Sequence, residues 1–157
     1  MSVDDFIYKC TRGDESEAKS MVERDPSLPN KPDRNGMTGL MVALYNKRHS
    51  LCRWLLSLPG LDTSLRDEYN STALHLACWY DGPLDIVITL VRLSSWETVN
   101  MKDSGGYTAL DWAVESNNTS AALYLSWLGA EEVTLQTWTS RVSKLDSLCW
   151  AIAANIR

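Results

Sequence analysis

A six-residue phrase occurs three times in this 157-residue chain and constrains its fold more than any other feature. The copies are Thr38-Gly39-Leu40-Met41-Val42-Ala43, Thr72-Ala73-Leu74-His75-Leu76-Ala77 and Thr108-Ala109-Leu110-Asp111-Trp112-Ala113. Thr38 to Thr72 spans 34 positions and Thr72 to Thr108 spans 36. A self-similar period in this range marks stacked units, each burying its apolar face on its neighbours rather than around one closed core. Within the phrase, the Thr hydroxyl is suited to cap a helix N-terminus. Leu and Ala, three residues apart, then share one helical face. The small Ala lets a neighbouring helix approach closely. Two positions before each Thr stands a residue that tolerates positive φ: Gly36, Asn70 or Gly106. The sequences Asp33-Arg-Asn-Gly36, Asp67-Glu-Tyr-Asn70 and Asp103-Ser-Gly-Gly106 are therefore read as turns.

A second apolar segment follows each phrase: Leu51 to Leu56, Ile86 to Val91 and Ala121 to Leu125. These are helices apolar enough to pack on both sides. Breakers end two of them, Pro59-Gly60 and Gly129. Each unit reads turn, helix, loop, helix.

This pattern resembles the ankyrin repeat, whose signature is a β-turn, two helices and Thr-Pro-Leu-His-x-Ala at a period near 33. The middle copy, Thr72 to Ala77, matches all but the Pro; the other copies replace His with Met41 or Asp111. The resemblance implies an all-α solenoid of helix-loop-helix units with β-turn or hairpin tips. It places repeats at 33–66, 67–102 and 103–131, after a degenerate first repeat at 4–32 with an acidic cap. The longer spacings imply insertions at Pro59-Gly60, at Asp81-Gly82-Pro83 and around Ser94-Ser95-Trp96, since loops absorb added residues cheaply. The Pro-dense stretch Asp25 to Pro32 is read as an extended loop leading into the next turn. In the remaining 132–157 segment, Asp146 to Asn155 aligns without gaps on Thr108 to Asn117. A partial fifth repeat is the expectation there; a continuous helix from about Leu135 is the alternative. On the first reading the chain is a piece of a longer array, or an array closed by a half-repeat.

Composition narrows the function. The net charge of −5 excludes a broad basic footprint for nucleic acid; Lys31, Arg34, Lys47, Arg48 and Arg53 are read as solvated surface. The acidic start Met-Ser-Val-Asp-Asp lacks the apolar run of a secretory leader, and no stretch approaches the length of a membrane span. A cytoplasmic or nuclear monomer follows as the expectation, with three matches to the glycosylation pattern taken as chance. Cys10, Cys52, Cys78 and Cys149 are expected to be reduced, buried thiols.

Catalysis finds little support. His75 and Cys78 are three apart, as are His49 and Cys52, and a Cys–His pair can be nucleophilic. The resemblance instead implies that His75 hydrogen-bonds the backbone of a neighbouring turn. No metal-ligand spacing, glycine-rich phosphate loop or nucleophile elbow appears. The expectation is a non-catalytic module without metal or cofactor.

The resemblance also implies where a protein or peptide partner would sit: on the turn tips and the exposed face of each first helix. Those positions are Arg34, Asn35, Met37, Glu68, Tyr69, Ser71, Ser104, Gly105 and Tyr107 at the tips. On the helices they are Tyr45, Asn46, Trp79, Tyr80, Glu115 and Ser116. Five are aromatic, the residue class that makes interface hot spots. Trp112 and Trp150 occupy a skeleton position and are read as core or half-core; Trp54 and Trp127 are placed on second helices, packing outward. The expected role is an adaptor or scaffold, with an inhibitor of a partner enzyme or a segment of a longer array as alternatives. A Trp79→Ala/Tyr80→Ala variant is expected to stay folded and lose about 2 kcal/mol or more of partner affinity. Unchanged affinity would remove the aromatic face from consideration.

Overall fold

The computed structural model describes residues 2–129. The expected fifth repeat at 132–157, with Trp138, Cys149 and Trp150, lies outside the described residues. The described chain is helical and contains no strand. Four helix pairs follow one another: α1 (Val3–Arg12) with α2 (Glu15–Arg24), α3 (Gly39–Tyr45) with α4 (His49–Leu56), α5 (Ala73–Trp79) with α6 (Leu84–Leu93), and α8 (Ala109–Glu115) with α9 (Thr119–Trp127). The short α7 (Trp96–Val99) lies in the connector between the third and fourth pairs.

The first helices stack in chain order, α1 on α3, α3 on α5 and α5 on α8. Ala43, Ala77 and Ala113, the last residues of the repeated phrase, are fully buried. At the first interface the approach is closer still: a Cβ on Gly39 would meet Phe6 Cε1 at 2.6 Å and Cys10 Sγ at 3.0 Å. Glycine therefore replaces the alanine of Ala73 and Ala109 where the Phe6 ring fills the space. The second helices form the other layer, α4 against α6 and α6 against α9. Between the layers lies the apolar core, with Leu51, Leu55, Ile86, Leu90 and Leu125 among its buried members.

The phrase's Thr residues stand at the helix starts as expected. Thr38 accepts from the Met41 N–H at 3.3 Å, and Thr108 accepts from the Asp111 N–H at 3.3 Å. Asp111 returns the bond, its Oδ2 accepting from the Thr108 N–H at 2.8 Å, a reciprocal cap that satisfies two orphan donors. In the middle repeat His75 does this work. Its Nδ1 accepts from the Thr72 N–H at 3.2 Å, and its Nε2 lies 3.1 Å from the Tyr107 carbonyl. With Nδ1 accepting, Nε2 carries the proton and donates to the next repeat's turn.

The turns share a second device. Asp33, Asp67 and Asp103 each accept two backbone bonds through Oδ1, from the N–H groups two and four residues on. The positive-φ position falls inside each turn, at Gly36 (78°), Asn70 (59°) and Gly106 (81°). Adjacent tips are joined backbone to backbone: the Glu68 N–H donates to the Asn35 carbonyl, and the Ser104 N–H to the Tyr69 carbonyl, both at 2.8 Å. A further left-handed residue recurs in every inter-helix loop, at Gly13, Lys47, Asp81 and Asn117. Of these, only the glycine is conspicuous in the sequence.

Two expectations about connections are corrected. The longer third repeat does not owe its length to Ser94-Ser95-Trp96, where the chain folds into α7. The extra residues lie in the loop 80–83, which contains the expected insertion at Asp81-Gly82-Pro83, against 46–48 in the preceding repeat, and in α6, which has 10 residues against 8 in α4. The Asp25–Pro32 stretch is also not wholly extended, since Leu28–Asn30 forms a 3-10 turn with Leu28 buried.

The basic residues are dispersed by specific pairing. Arg53 forms a two-pronged pair with Asp85, at 2.7 and 3.1 Å, linking α4 to α6. Lys31 pairs with Asp25 at 2.8 Å, and Arg48 Nε donates to the Thr11 carbonyl. Exposed pairs of this kind contribute little stability.

Two measurements test this architecture. At Gly36 a Cβ would lie 2.6 Å from the Arg66 carbonyl oxygen, on a backbone already at positive φ. Gly36→Ala is expected to cost about 1–3 kcal/mol in urea unfolding, from strain and overpacking together. A change below about 0.5 kcal/mol would contradict the packing at this turn. Burial lowers the His75 pKa from its ordinary 6.5. Above the unfolded value the ring is neutral in both states, and the fold keeps the full contribution. As pH falls below it, the unfolded chain takes up the proton first, and stability is lost down through the depressed folded pKa. His75→Gln should lower Tm at neutral pH, and its deficit relative to wild type should shrink as pH falls from about 7.5 to 5.5. A constant deficit would show that His75 does not titrate this way.

Candidate functional site

The stack fixes where side chains outside the phrase emerge. Tyr45 and Trp79 end their first helices at the same register, and Glu115 ends α8 there. Tyr69 and Tyr107 project from successive turns. All five are exposed; Tyr69 is the most open of the rings at 64%. Tyr80 is half-buried and packs partly against the core.

These residues border two adjoining clefts. The first, of about 250 Å³, is lined by Met37, Tyr45, Asp67, Tyr69, Leu76, Trp79, Tyr80 and Trp112. The second, of about 350 Å³, is lined by Trp79, Tyr107 and Trp112, with Asp103, Gly105, Asp111 and Glu115. Trp79 and Trp112 belong to both and form the wall between them.

Ring packing holds that wall in place. Trp79 meets Trp112 edge to face, with centroids 5.5 Å apart and planes at 67°. His75 supports the other side of Trp112 at 5.5 Å and 82°. The Trp112 indole N–H donates to Asp103 Oδ2 at 2.9 Å. The carboxylate that closes the turn through Oδ1 thus also orients the tryptophan through Oδ2. Tyr45 lies 4.7 Å from Tyr80 at 58°, so the first cleft has a fixed aromatic floor. Such pairs add about 0.5–1.5 kcal/mol each beyond the area they bury.

The structure brings together Met37, Tyr45, Tyr69, Trp79, Tyr80, Gly105, Tyr107 and Glu115 from the expected set. Arg34, Asn35, Glu68 and Ser104 are exposed at the tips but line neither cleft. Asn46 is half-buried, its Nδ2 donating to the Val42 carbonyl at 2.9 Å. Ser116 donates from Oγ to the Cys78 carbonyl at 2.8 Å, tying one repeat's loop to the next. Ser71 is corrected outright: it is fully buried and presents nothing to a partner. Its N–H donates to Asp67 Oδ1 and its carbonyl accepts from the Asp67 N–H. A serine is short enough to be enclosed at this turn position, whereas Met37 and Tyr107 at the same register are not. Tyr80 needs a smaller correction. Because it contacts the core, Tyr80→Ala would cost stability as well as surface, so the Trp79/Tyr80 double variant is a poor probe of binding alone.

Trp112 is the residue that sequence reasoning placed only by half. It stands where Val42 and Leu76 stand in the preceding repeats, both buried. An indole is too large to follow them inside, so it spreads over the surface as the shared wall. The size change from Val and Leu to Trp at one register was the available signal.

The Cys–His pairings do not assemble an activated thiol. Cys78 is fully buried, and burial pushes its thiol pKa up. Both nitrogens of His75 are already engaged with Thr72 and Tyr107. Burial likewise pushes Cys10 and Cys52 up to about 12, which keeps them as unreactive thiols. Among the described residues no group of three or more His, Cys, Asp or Glu side chains is arranged to hold a metal ion. No described helix is long and apolar enough to cross a membrane.

Comparison with known proteins agrees with this architecture. Over 126 residues, 80% of its length, the chain is 32% identical to a Danio rerio protein that carries the name of a palmitoyltransferase, ZDHHC13. Over 74 residues, 46% of its length, it is 32% identical to the photoreceptor ankyrin repeat protein of Homo sapiens. The matched regions are 19% and 16% of those proteins, so the chain spans under a fifth of either relative. The family model for ankyrin repeats, in three copies, matches residues 6–97. With the Thr-x-Leu-x-x-Ala phrases capping stacked first helices and positive-φ turns between them, the chain belongs to the ankyrin-repeat family.

Proposed function

We propose that this protein is a non-catalytic recognition module that binds a protein segment on the aromatic face of its stacked first helices. Ankyrin repeats are generally protein–protein interaction modules. The observation that carries the finer reading is the pair of clefts sharing Trp79 and Trp112. Ligand sites are typically concave, mostly apolar and largely pre-formed. Here the walls are fixed by ring packing and by the Asp103–Trp112 hydrogen bond, which lowers the ordering cost on binding. Tyr and Trp also bury large areas with few rotatable bonds.

The role of adaptor fits a surface that grips without chemistry. Inhibition of a partner enzyme would use the same face, and an activity measurement on the recovered partner separates the two. The matches to short parts of much longer proteins support a compatible second reading, in which the array is one segment of a larger assembly.

The test is a selection from a random-peptide display library, followed by calorimetric titration of the enriched peptides. Tyr69→Ala/Trp79→Ala removes two exposed rings and leaves Tyr80 and Trp112 in place. The double variant should keep its Tm within a few degrees and lose about 2 kcal/mol, roughly thirtyfold in Kd. Enriched peptides that bind it as tightly as wild type would place the recognition surface elsewhere.

A further inference from the structure

The turn aspartates differ in what their second carboxylate oxygen does. Asp33, Asp67 and Asp103 each commit Oδ1 to two backbone N–H groups of their own turn. At Asp103 the other oxygen is also engaged, accepting from the indole N–H of Trp112, nine residues on. Nine residues on from Asp67 stands Leu76, which has no donor to offer. Among the described residues no hydrogen bond reaches Asp67 Oδ2, although Asp67 is only 9% exposed. Asp33, at the same register before Val42, is half-buried and lines neither cleft. Asp67 instead lines the first cleft, together with Tyr45, Tyr69, Trp79, Tyr80 and Trp112. A nearly buried carboxylate oxygen without a protein donor is an acceptor that a ligand can satisfy.

Resting on the reading of this face as a peptide-binding surface, we propose that the first cleft receives a tryptophan side chain of the partner segment, whose indole N–H donates to Asp67 Oδ2. The next repeat contains the same pairing within the chain, Trp112 on Asp103 at 2.9 Å. The partner's indole supplies at Asp67 what Leu76 omits. Donor count selects the side chain. An indole carries one N–H and no acceptor, which matches the one open oxygen; tyrosine and neutral histidine add acceptors beside their donor. Arginine carries five donors, and its two-pronged grip is blocked because Oδ1 already holds the Tyr69 and Ser71 N–H groups. Its remaining N–H groups would lie against ring carbons, which is costly. Leucine or phenylalanine would shut water away from Oδ2 without replacing it. At about 250 Å³ the cleft suits one large side chain rather than a drug-sized ligand. Its ring walls offer the edge and face contacts that aromatic pairs prefer.

The experiment uses the full chain and three peptides: Ac-Gly-Trp-Gly-NH2, its 3-benzothienylalanine counterpart and Ac-Gly-Arg-Gly-NH2. Benzothiophene keeps the bicyclic shape and replaces the N–H with sulfur. Affinities come from NMR titration, with the indole N–H resonance of the peptide followed directly. The tryptophan peptide should bind at least about tenfold more tightly than the benzothienyl peptide, the scale of a hydrogen bond to a charged group, and its N–H should shift downfield. Asp67→Asn keeps an oxygen for the turn and puts an amide donor in place of Oδ2, so it should abolish that difference. If this variant fails to fold, the comparison of the two bicyclic peptides on the wild type decides alone. Equal affinities for those two, or tighter binding of the arginine peptide, would overturn the assignment. So would a dimer that excludes the peptide and dissociates on Trp127→Ala, since Trp127 is 81% exposed and the occupant would then be a second copy. Each of these failures is distinct from failure of the binding face: library peptides that lose affinity on Tyr69→Ala/Trp79→Ala would still locate recognition there.

Discussion

The close stacking of the first helices is the constraint on which the other features depend. Ala43, Ala77 and Ala113 are buried without residual exposure, and at this spacing one extra methylene would force the helices apart. Gly39 marks the limit, since even a Cβ there would collide with the Phe6 ring. Once α1, α3, α5 and α8 are in register, every position of the repeat becomes a column running along the array. A residue type placed at one register then meets its counterparts from neighbouring repeats. Tyr45 and Tyr80 become neighbours for this reason, although they are far apart in the chain.

A second layer of order comes from polar groups held inside the stack. The Asp33, Asp67 and Asp103 carboxylates satisfy backbone N–H groups that the turns would otherwise leave without partners. His75 links the cap of one helix to the turn of the next repeat. Asn118 accepts from the Ala121 N–H and donates toward the Cys78 and Gly82 carbonyls. A buried polar group costs stability unless it is bonded, so these side chains favour one register of the stack over others. The same accounting explains the quiet chemistry of the interior. Cysteines in an apolar stack are thiols, and a histidine with both nitrogens occupied is not a base.

Much of this was legible in the chain. The Thr caps, the positive-φ turns at Gly36, Asn70 and Gly106 and the core or half-core place of Trp112 follow from residue type and spacing, and the inter-repeat role of His75 was implied by the resemblance to the ankyrin repeat. The turn aspartates were visible as a column at 33, 67 and 103, yet their carboxylate bonds were not, because a one-dimensional pattern does not show which donors lie within reach. Lys47, Asp81 and Asn117 adopt the left-handed conformation of Gly13, and no local rule singles out a lysine for that role. The added length of the third repeat was rightly placed in part at Asp81-Gly82-Pro83 but also at Ser94-Ser95-Trp96, because the spacing between phrases does not separate a longer α6 from a longer connector after it.

By itself the sequence determined the repeat, its helical content and the side of each first helix that faces the stack, since these depend on periodicity and on residues only a few positions apart. Tertiary structure decided what that outer face is. It withdrew Ser71, enclosed by the turn around it, and tied Tyr80 to the core. It made Trp112 a wall between two clefts because an indole cannot fit where valine and leucine do. The last two outcomes depend on side chains meeting neighbours more than 30 residues away in the chain, Tyr45 for Tyr80 and Trp79 for Trp112, and those contacts are set only when the repeats have closed on one another.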